Sequence, residues 1–344
     1  MSDPRIQVSV VIPTYRRPLL VKRALRSALG QSFGAIEVIV VTDGPDPELA
    51  AELEAIGDRR LHIIQLSENR GANAARNAGV AAAHAPWVAL LDDDDQWLPD
   101  KLDTQLRQAE HSRFLFPVVS CHTVLRTHRA DTVLPRRAPD SGEHVSDYLF
   151  SRRGLFHGEG LIQTSTIFAP RELFLRVPFD QRLPALHETD WLLRALASPG
   201  AGLELCPGRL AIWHADENRP RITANGKSQK TLLRSAPRDW ALRWARDNRA
   251  LFTREAYASF VAGPLSYMFA SRGSWRHSPP LFWEIARHGR PQAKDLLTFG
   301  MVWLVPLQAR RWVREAVLSR RQGTARRLQP RGAILEQRDV GVTG

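Results

Sequence analysis

The chain is poor in several features that would place it in well-defined classes. It has only two cysteines, Cys121 and Cys206, in 344 residues. Both lie in apolar, strand-like stretches, so they read as buried reduced thiols, with no disulfide framework and no metal knot. No apolar run approaches the ~20 residues that a helix needs to cross a bilayer. The opening segment MSDPRIQVSVVIP lacks the charged-then-apolar layout of a secretion leader and moves straight into a strand. A reducing cytoplasmic setting is therefore expected. No internal repeat is visible. No nucleic-acid motif or β-platform of interleaved aromatics accompanies the basic residues, so no nucleic-acid partner is expected.

Charge is abundant but unevenly spread. The formal net charge is +12. Residues 1–224 hold 26 Lys and Arg against 28 Asp and Glu, whereas residues 225–344 hold 22 against 8. The basic excess belongs to the last third and points to an anionic surface as its partner.

The first half alternates short apolar runs with helical patterns. QVSVVIP and IEVIVVTDG read as buried strands, with Pro13 ending the first, and LHIIQL and WVALLDD as a third and fourth strand. LLVKRALRSALGQS, DPELAAELEAI, NAARNAGVAAAH and PDKLDTQLRQAE read as helices. Such alternation predicts an α/β fold with a mostly parallel sheet covered by helices on both faces. Farther along, FPVVSCHTVL, GLIQTSTIFA, LELCP and LAIWH are expected as strands, with helices at RELFLRV and DWLLRALA. Beyond a boundary near residue 225 the texture is helical, Arg-rich and Trp-rich. The expected division is 1–224 as the α/β domain, 225–330 as a basic helical extension, and 331–344 as a disordered tail.

Ligands of open α/β sheets bind beyond the carboxyl ends of the strands. That rule selects Thr14–Tyr15, Asp43–Gly44, Glu68–Arg70 and Asp92–Asp95. Four adjacent carboxylates repel one another, and a turn needs only one or two. If the strand geometry continues, Asp92 and Asp94 point to one side. Two carboxylates facing one way suit Mg²⁺ or Mn²⁺, which take oxygen ligands and share them with phosphates. The plain alternative is a solvated turn that caps the next helix. At the other strand ends, Tyr15 can stack a base, Arg16 or Arg17 can meet phosphate, and Asp43 can accept from a base or ribose.

Taken together, VSVVIPTYRR, IEVIVVTDG, NRGANAARNAG and LLDDDDQWLPDKL resemble the family 2 glycosyltransferases, over roughly residues 6–224. The resemblance implies the GT-A fold and an inverting transfer of a sugar from a nucleotide-sugar donor. It implies that Pro13, Tyr15 and Asp43 bind the nucleoside, with Asn69 or Arg76 beside it. The family's Asp-x-Asp motif falls on Asp92, Asp93 and Asp94: Asp92 toward ribose or metal, Asp94 on the metal that carries the diphosphate. A shift of register by one would put Asp93 and Asp95 in those roles. His214 matches a histidine that joins metal or diphosphate in relatives. Arg219 and Arg221 are candidates for diphosphate contact, and Gln163, Thr164 and Ser165 for the acceptor.

Inversion needs one general base to take the acceptor's proton. LPALHETDWLLRAL offers Glu188, where the family's base commonly sits, and Asp190, at the helix start. Capping of that helix is the bland alternative for both. Near the C-terminus, the 12-residue apolar run Leu296–Leu307 precedes Arg310, Arg311, Trp312 and Arg314. With Trp303 these suit a helix lying in the headgroup layer. The expected partners are thus a nucleotide-sugar donor, a glycan or lipid-linked acceptor and an anionic membrane surface, on the inner face of the cytoplasmic membrane. Other readings are a sugar-nucleotide-synthesising nucleotidyltransferase and a non-catalytic binding protein. Nucleotidyltransferases usually open with a Gly-rich triphosphate loop, and IPTYRRP contains no glycine.

Overall fold

The computed structural model describes residues 6–127, 130–151, 153, 159–214, 239–270 and 275–305. The first half runs β1 (Val8–Thr14), α1 (Pro18–Leu29), β2 (Ile36–Thr42), α2 (Pro47–Glu54), β3 (Leu61–Gln65), α3 (Ala72–Ala82), β4 (Trp87–Leu90), β5 (Gln96–Trp97) and α4 (Lys101–Glu110). The second runs β6 (Phe116–Arg126), β7 (Asp131–Leu134), α5 (Val145–Phe150), β8 (Phe168–Pro170), α6 (Arg171–Arg176), α7 (His187–Leu196) and β9 (Ala201–His214). Helices follow: α8 (Trp240–Asp247), α9 (Arg254–Phe260), α10 (Ser266–Ala270), α11 (Ser278–His288) and α12 (Ala293–Leu304).

The strands form one sheet in the order β3-β2-β1-β4-β8-β6-β9-β5, with β7 paired to β6. Strands β3, β2, β1 and β4 are parallel, as the apolar runs predict. Strand β8 runs antiparallel between β4 and β6. The connection from β1 goes to β2 on one side, while β4 lies on the other. The gap between the ends of β1 and β4 is therefore the topological switch point, where such sheets bind ligands.

Period-2 alternation sorts the core into two layers. On β1, Val8, Val10 and Ile12 pack with Val21 and Leu25 of α1, Leu53 of α2 and Leu106 of α4. Val11, on the opposite face, packs with Ala75 of α3 and with Trp191 of α7. Helix α3 lies so close to β1 that a Cβ on Gly79 would come within 2.4 Å of the Val11 side chain. This contact needs glycine, and it seats α3 so that its first turn faces the switch point.

Four expectations change in the structure. Pro13 does not end β1, which runs on to Thr14 and pairs Pro13 with Val41. The missing N–H of Pro13 points toward β4, which has already ended at Leu90, so no ladder bond is lost. GLIQTSTIFA is a strand only at Phe168–Pro170, because Thr164–Thr166 form a 3₁₀ turn. LELCP and LAIWH are one strand, β9, which bulges out Pro207 and Gly208 at a register shift against β6. Helix α7 begins at His187, so Glu188 and Asp190 both lie in its first turn.

The C-terminal helices share a core with the sheet domain. Val145 of α5 and Leu193 of α7 pack into one cluster with Trp240, Trp244, Phe260 and Leu265. Pro264 sits in a π turn, Val261–Leu265, between α9 and α10, where its missing donor disrupts the regular ladder. The boundary expected near residue 225 lies outside the described residues.

Candidate active site

The four aspartates do not continue β4 as an extended strand. They form a turn closed by the Asp95 N–H donating to the Asp92 carbonyl at 3.1 Å. Their side chains nevertheless alternate. Asp93 keeps 7% of its side chain exposed and Asp95 is buried, whereas Asp92 and Asp94 keep 25% and 18%.

Each inward aspartate has a fixed set of partners. Thr14 Oγ1 donates to Asp93 Oδ2 at 2.8 Å, and Arg17 Nη1 donates to Asp93 Oδ1 at 3.0 Å. Burial pushes the Asp93 carboxyl up to about 6, against the pull of Arg17. Ser165 Oγ donates to Asp95 Oδ2 at 2.7 Å, and the Gln163 amide donates to the same oxygen. Burial, helped by Asp94 and Asp92, raises Asp95 well above the usual carboxylate range. Asp95 Oδ1 and Gln163 Oε1 are buried without partners among the described residues, a setting that suits a neutral carboxyl.

The outward pair meets arginines. Arg76 Nη2 donates to Asp92 Oδ1 at 2.7 Å, and its Nη1 donates to Asn73 Oδ1 at 2.9 Å. Arg76 is buried under the ring of Phe179, its guanidinium 5.6 Å from the ring centre. Arg17 Nη1 lies 3.7 Å from Asp94 Oδ2, and Arg23 donates to the Asp94 carbonyl.

Around this turn stand the other strand ends. Tyr15 is 43% exposed at the mouth, and Arg16 follows in the left-handed region at φ 52° with its guanidinium over the Tyr15 ring. Asp43 is buried, and its carboxylate accepts main-chain N–H bonds from Arg70 at 2.7 Å and Gly71 at 2.9 Å. It thus clamps the loop that starts α3, where Gly71 takes φ 90°. A Cβ on Gly44 would sit 3.3 Å from the Asn69 nitrogen, so this loop lies directly on the end of β2.

The first turn of α7 closes the group. Burial raises the Glu188 carboxyl above its usual range, while Arg76 pulls it down and Asp92 pushes it up. The same two groups act on His187, which burial lowers to about 4, leaving a neutral ring whose Nε2 lies 3.0 Å from the Leu183 carbonyl. Asp190 is different. Its Oδ1 accepts from Trp244 Nε1 at 2.8 Å and its Oδ2 from Arg194 Nε at 2.9 Å. A cleft of about 1300 Å³ opens alongside, lined by Asn69, Arg70, Asn73, His187, Arg194 and Trp244 among others.

Of the residues singled out from sequence, the structure gathers Arg76, Asp92 and Glu188 into one electrostatic group, with Asp94 beside Asp92 on the turn. Gln163 and Ser165 stand behind the aspartates and support the turn. His214 Nε2 is bonded to Gln96 Oε1 at 2.7 Å. Among the described residues, no group of three or more His, Cys, Asp or Glu is placed to hold a metal ion. A divalent hard cation that draws its remaining ligands from phosphate and water needs only one or two carboxylates, and Asp92 with Asp94 fits that need. Arg219, Arg221, Arg310, Arg311, Trp312, Arg314 and the tail from Arg331 lie outside the described residues. Sequence reasoning missed His187 and Asn73. The i, i+3 spacing of Asn73 and Arg76 on one helix was the available signal for the latter.

Comparisons with known proteins place this geometry beside glycosyltransferases. The model of glycosyl transferase family 2 matches residues 9–157. This part of the chain is therefore similar to a family 2 glycosyltransferase domain. Among relatives, the succinoglycan biosynthesis protein ExoO of Rhizobium meliloti is 40% identical over 114 residues, 32% of this chain and 33% of that protein. The chain therefore spans about a third of that relative's length. The putative colanic acid biosynthesis glycosyl transferase WcaA of Escherichia coli is 26% identical over 226 residues, 64% of this chain and 76% of that protein. The crystal structure of S. aureus TarS 1–349 matches with a TM-score of 0.50 at 16% identity, covering 89% of this chain and 92% of that one. The sheet domain thus has the GT-A fold, and the match to TarS continues into the C-terminal helices.

Proposed function

We propose that the chain is an inverting glycosyltransferase. It moves a sugar from a nucleoside-diphosphate donor, a UDP-sugar, to a glycan or lipid-linked acceptor in envelope or exopolysaccharide synthesis. It works at the inner face of the cytoplasmic membrane. One observation carries the reading: two part-exposed carboxylates, Asp92 and Asp94, stand at the switch point, with Asp92 within electrostatic reach of the half-buried acid Glu188. Relatives named for succinoglycan and colanic acid biosynthesis support the product class, and the TarS complex with UDP supports the nucleotide.

In this reading Tyr15 stacks the base, and the loop held by Asp43 borders the nucleoside with Asn69. Asp92 and Asp94 would hold Mg²⁺ or Mn²⁺, which supplies positive charge to the departing diphosphate. Arg76 stands beside Asp92 and Glu188. The Glu188 carboxylate takes the proton of the acceptor hydroxyl. The acceptor oxygen then bonds the anomeric carbon from the face opposite the diphosphate. The bond from that carbon to the diphosphate oxygen breaks, its electron pair leaves with the phosphate, and configuration inverts. No second acid is required, because the leaving group departs as an anion.

The test is a panel of nucleotide sugars with Mg²⁺ or Mn²⁺, read by donor hydrolysis and by thermal shift. Glu188→Gln is expected to lower turnover by about 10²–10⁴-fold while the UDP-induced shift persists. Asp94→Asn is expected to remove the metal dependence of UDP binding. Normal turnover in Glu188→Gln, or silence with every donor and either metal, rejects the proposal.

A further inference from the structure

Helix α12 is built inside out. Its sequence, AKDLLTFGMVWL, is apolar, yet its one buried residue is Asp295. The Asp295 carboxylate accepts from Ser259 Oγ at 2.7 Å and from the Gln292 N–H at 2.8 Å. Beside Asp295, Phe299 and Trp303 are half-buried against the C-terminal core, while Leu296, Leu297, Met301 and Leu304 face outward, Leu304 at 83% exposure. Helix α11 beside it buries Leu281 and Ile285 and turns Phe282 and Trp283 out, Trp283 at 64%. The rings of Phe282, Phe299 and Trp303 form a ladder at 5.8 and 6.1 Å that joins the two helices into one apolar face. Trp275, just before α11, is 70% exposed. Contiguous apolar surface of this kind marks an interaction site rather than ordinary scatter.

The charges around the face say what covers it. Arg249, Arg254, Arg287 and His288 line a recess of about 370 Å³ floored by Phe252 and Tyr257. Arg287 stands one turn after Trp283, so the recess borders the apolar face. Arg249 Nη1 lies 2.6 Å from His288 Nδ1, and Arg254 donates to the Gly289 carbonyl at 3.3 Å. The nearby carboxylates are occupied: Glu284 by Arg246 and the Tyr257 hydroxyl, Glu255 by Arg290. Arg276 adjoins the exposed Trp275, and Lys294 opens α12 one residue before Asp295. A second copy of this chain would set one arginine rim against another. An anionic bilayer complements both parts, with tryptophan at the interface, aliphatic side chains at the acyl boundary and arginine on phosphate.

We propose that the α11–α12 face, with Trp275, docks into the headgroup layer of an anionic bilayer, and that the arginine recess takes a lipid phosphate. The assignment deepens the reading of a membrane-facing glycosyltransferase and rests on it for its purpose, though not for its measurement. The full chain is expected to sediment with vesicles of phosphatidylglycerol and phosphatidylcholine, and far less with phosphatidylcholine alone. Raising salt from about 0.1 M to about 1 M should weaken binding several-fold by screening the arginines. The double variant Trp283→Glu/Leu297→Glu should lose at least about tenfold in partitioning. Arg249→Ala/Arg287→Ala should lose the preference for the anionic lipid. None of the substituted side chains lines the active-site cleft, so each variant should keep the UDP-induced thermal shift. No vesicle binding by the full chain, equal binding by all variants, or a vesicle-free dimer split by Trp283→Glu/Leu297→Glu overturns the proposal. Vesicle binding without any UDP shift would instead sink the transferase reading and leave the docking surface standing.

Discussion

Glu188 and Asp190 stand two residues apart on α7 and meet opposite surroundings. Glu188 has burial raising its carboxyl, with Arg76 and Asp92 pulling in opposite directions. A base must be ionised to act, and burial favours the neutral acid. The kcat/KM of the wild type is therefore expected to rise with pH through an apparent pKa above the usual carboxylate range. Stability moves the other way. The folded chain holds this proton more tightly than the unfolded one, so the stabilisation from protonated Glu188 is present at low pH and is lost as pH rises through the folded pKa. Rate profiles with saturating metal, read beside denaturant melts at each pH, check both directions. A flat acid limb in the wild type would remove Glu188 from the base role. The residue scale also shows what the sequence could tell. Four carboxylates at a strand end announce a cationic partner, and the alternation of their side chains is a local property. Which two turn inward was hidden, because Thr14, Arg17, Gln163 and Ser165 decide it from distant parts of the chain.

At the scale of elements, Asp190 is a staple between helices. Trp244 of α8 and Arg194 of α7 both donate to it, and it is 3% exposed. Asp190→Asn removes the charge that Arg194 faces and is expected to cost about 1–3 kcal/mol of stability. The folded fraction should retain turnover near the wild type, in contrast to Glu188→Gln, which should lose turnover and keep or raise its melting temperature. Denaturant titration with activity normalised to folded protein separates the two. The sequence placed β1 to β4 and their helices well because β1, β2 and β4 are largely buried on both faces and read as apolar runs, and the half-exposed edge strand β3 still carries Leu61, Ile63 and Ile64. It failed at Gln163–Pro170, where an apparent strand is mostly a 3₁₀ turn. There Ser165 accepts from the Asp92 N–H and donates to Asp95, and Thr166 Oγ1 donates to the Gln163 carbonyl. Tertiary hydrogen bonds, absent from any local pattern, override β-propensity at that point. In β9 the Pro207–Gly208 pair looked like a break and is a bulge, which only the pairing partner β6 reveals.

On the scale of the whole molecule, charge and packing divide the chain differently. Charge splits it near residue 225, with the whole of the basic excess beyond that point. Packing does not, since Val145 and Leu193 of the sheet domain are buried in one cluster with Trp240, Trp244 and Phe260 of the C-terminal helices. The hydrophobic face of α7 is completed by α8, and Asp190 would lose its indole donor without it. The helices also carry the exposed α11–α12 face, so that face and α7 are built on one shared core. A chain ending at residue 214 should consequently expose this apolar cluster and leave a buried carboxylate short of a partner, a combination that commonly costs several kcal/mol. It is expected to aggregate, or to melt without a cooperative transition, in scanning calorimetry at concentrations where the full chain melts sharply. A soluble 1–214 fragment with a sharp melt and a UDP-induced shift would instead mean that the sheet domain folds alone and that the helices serve the surface only.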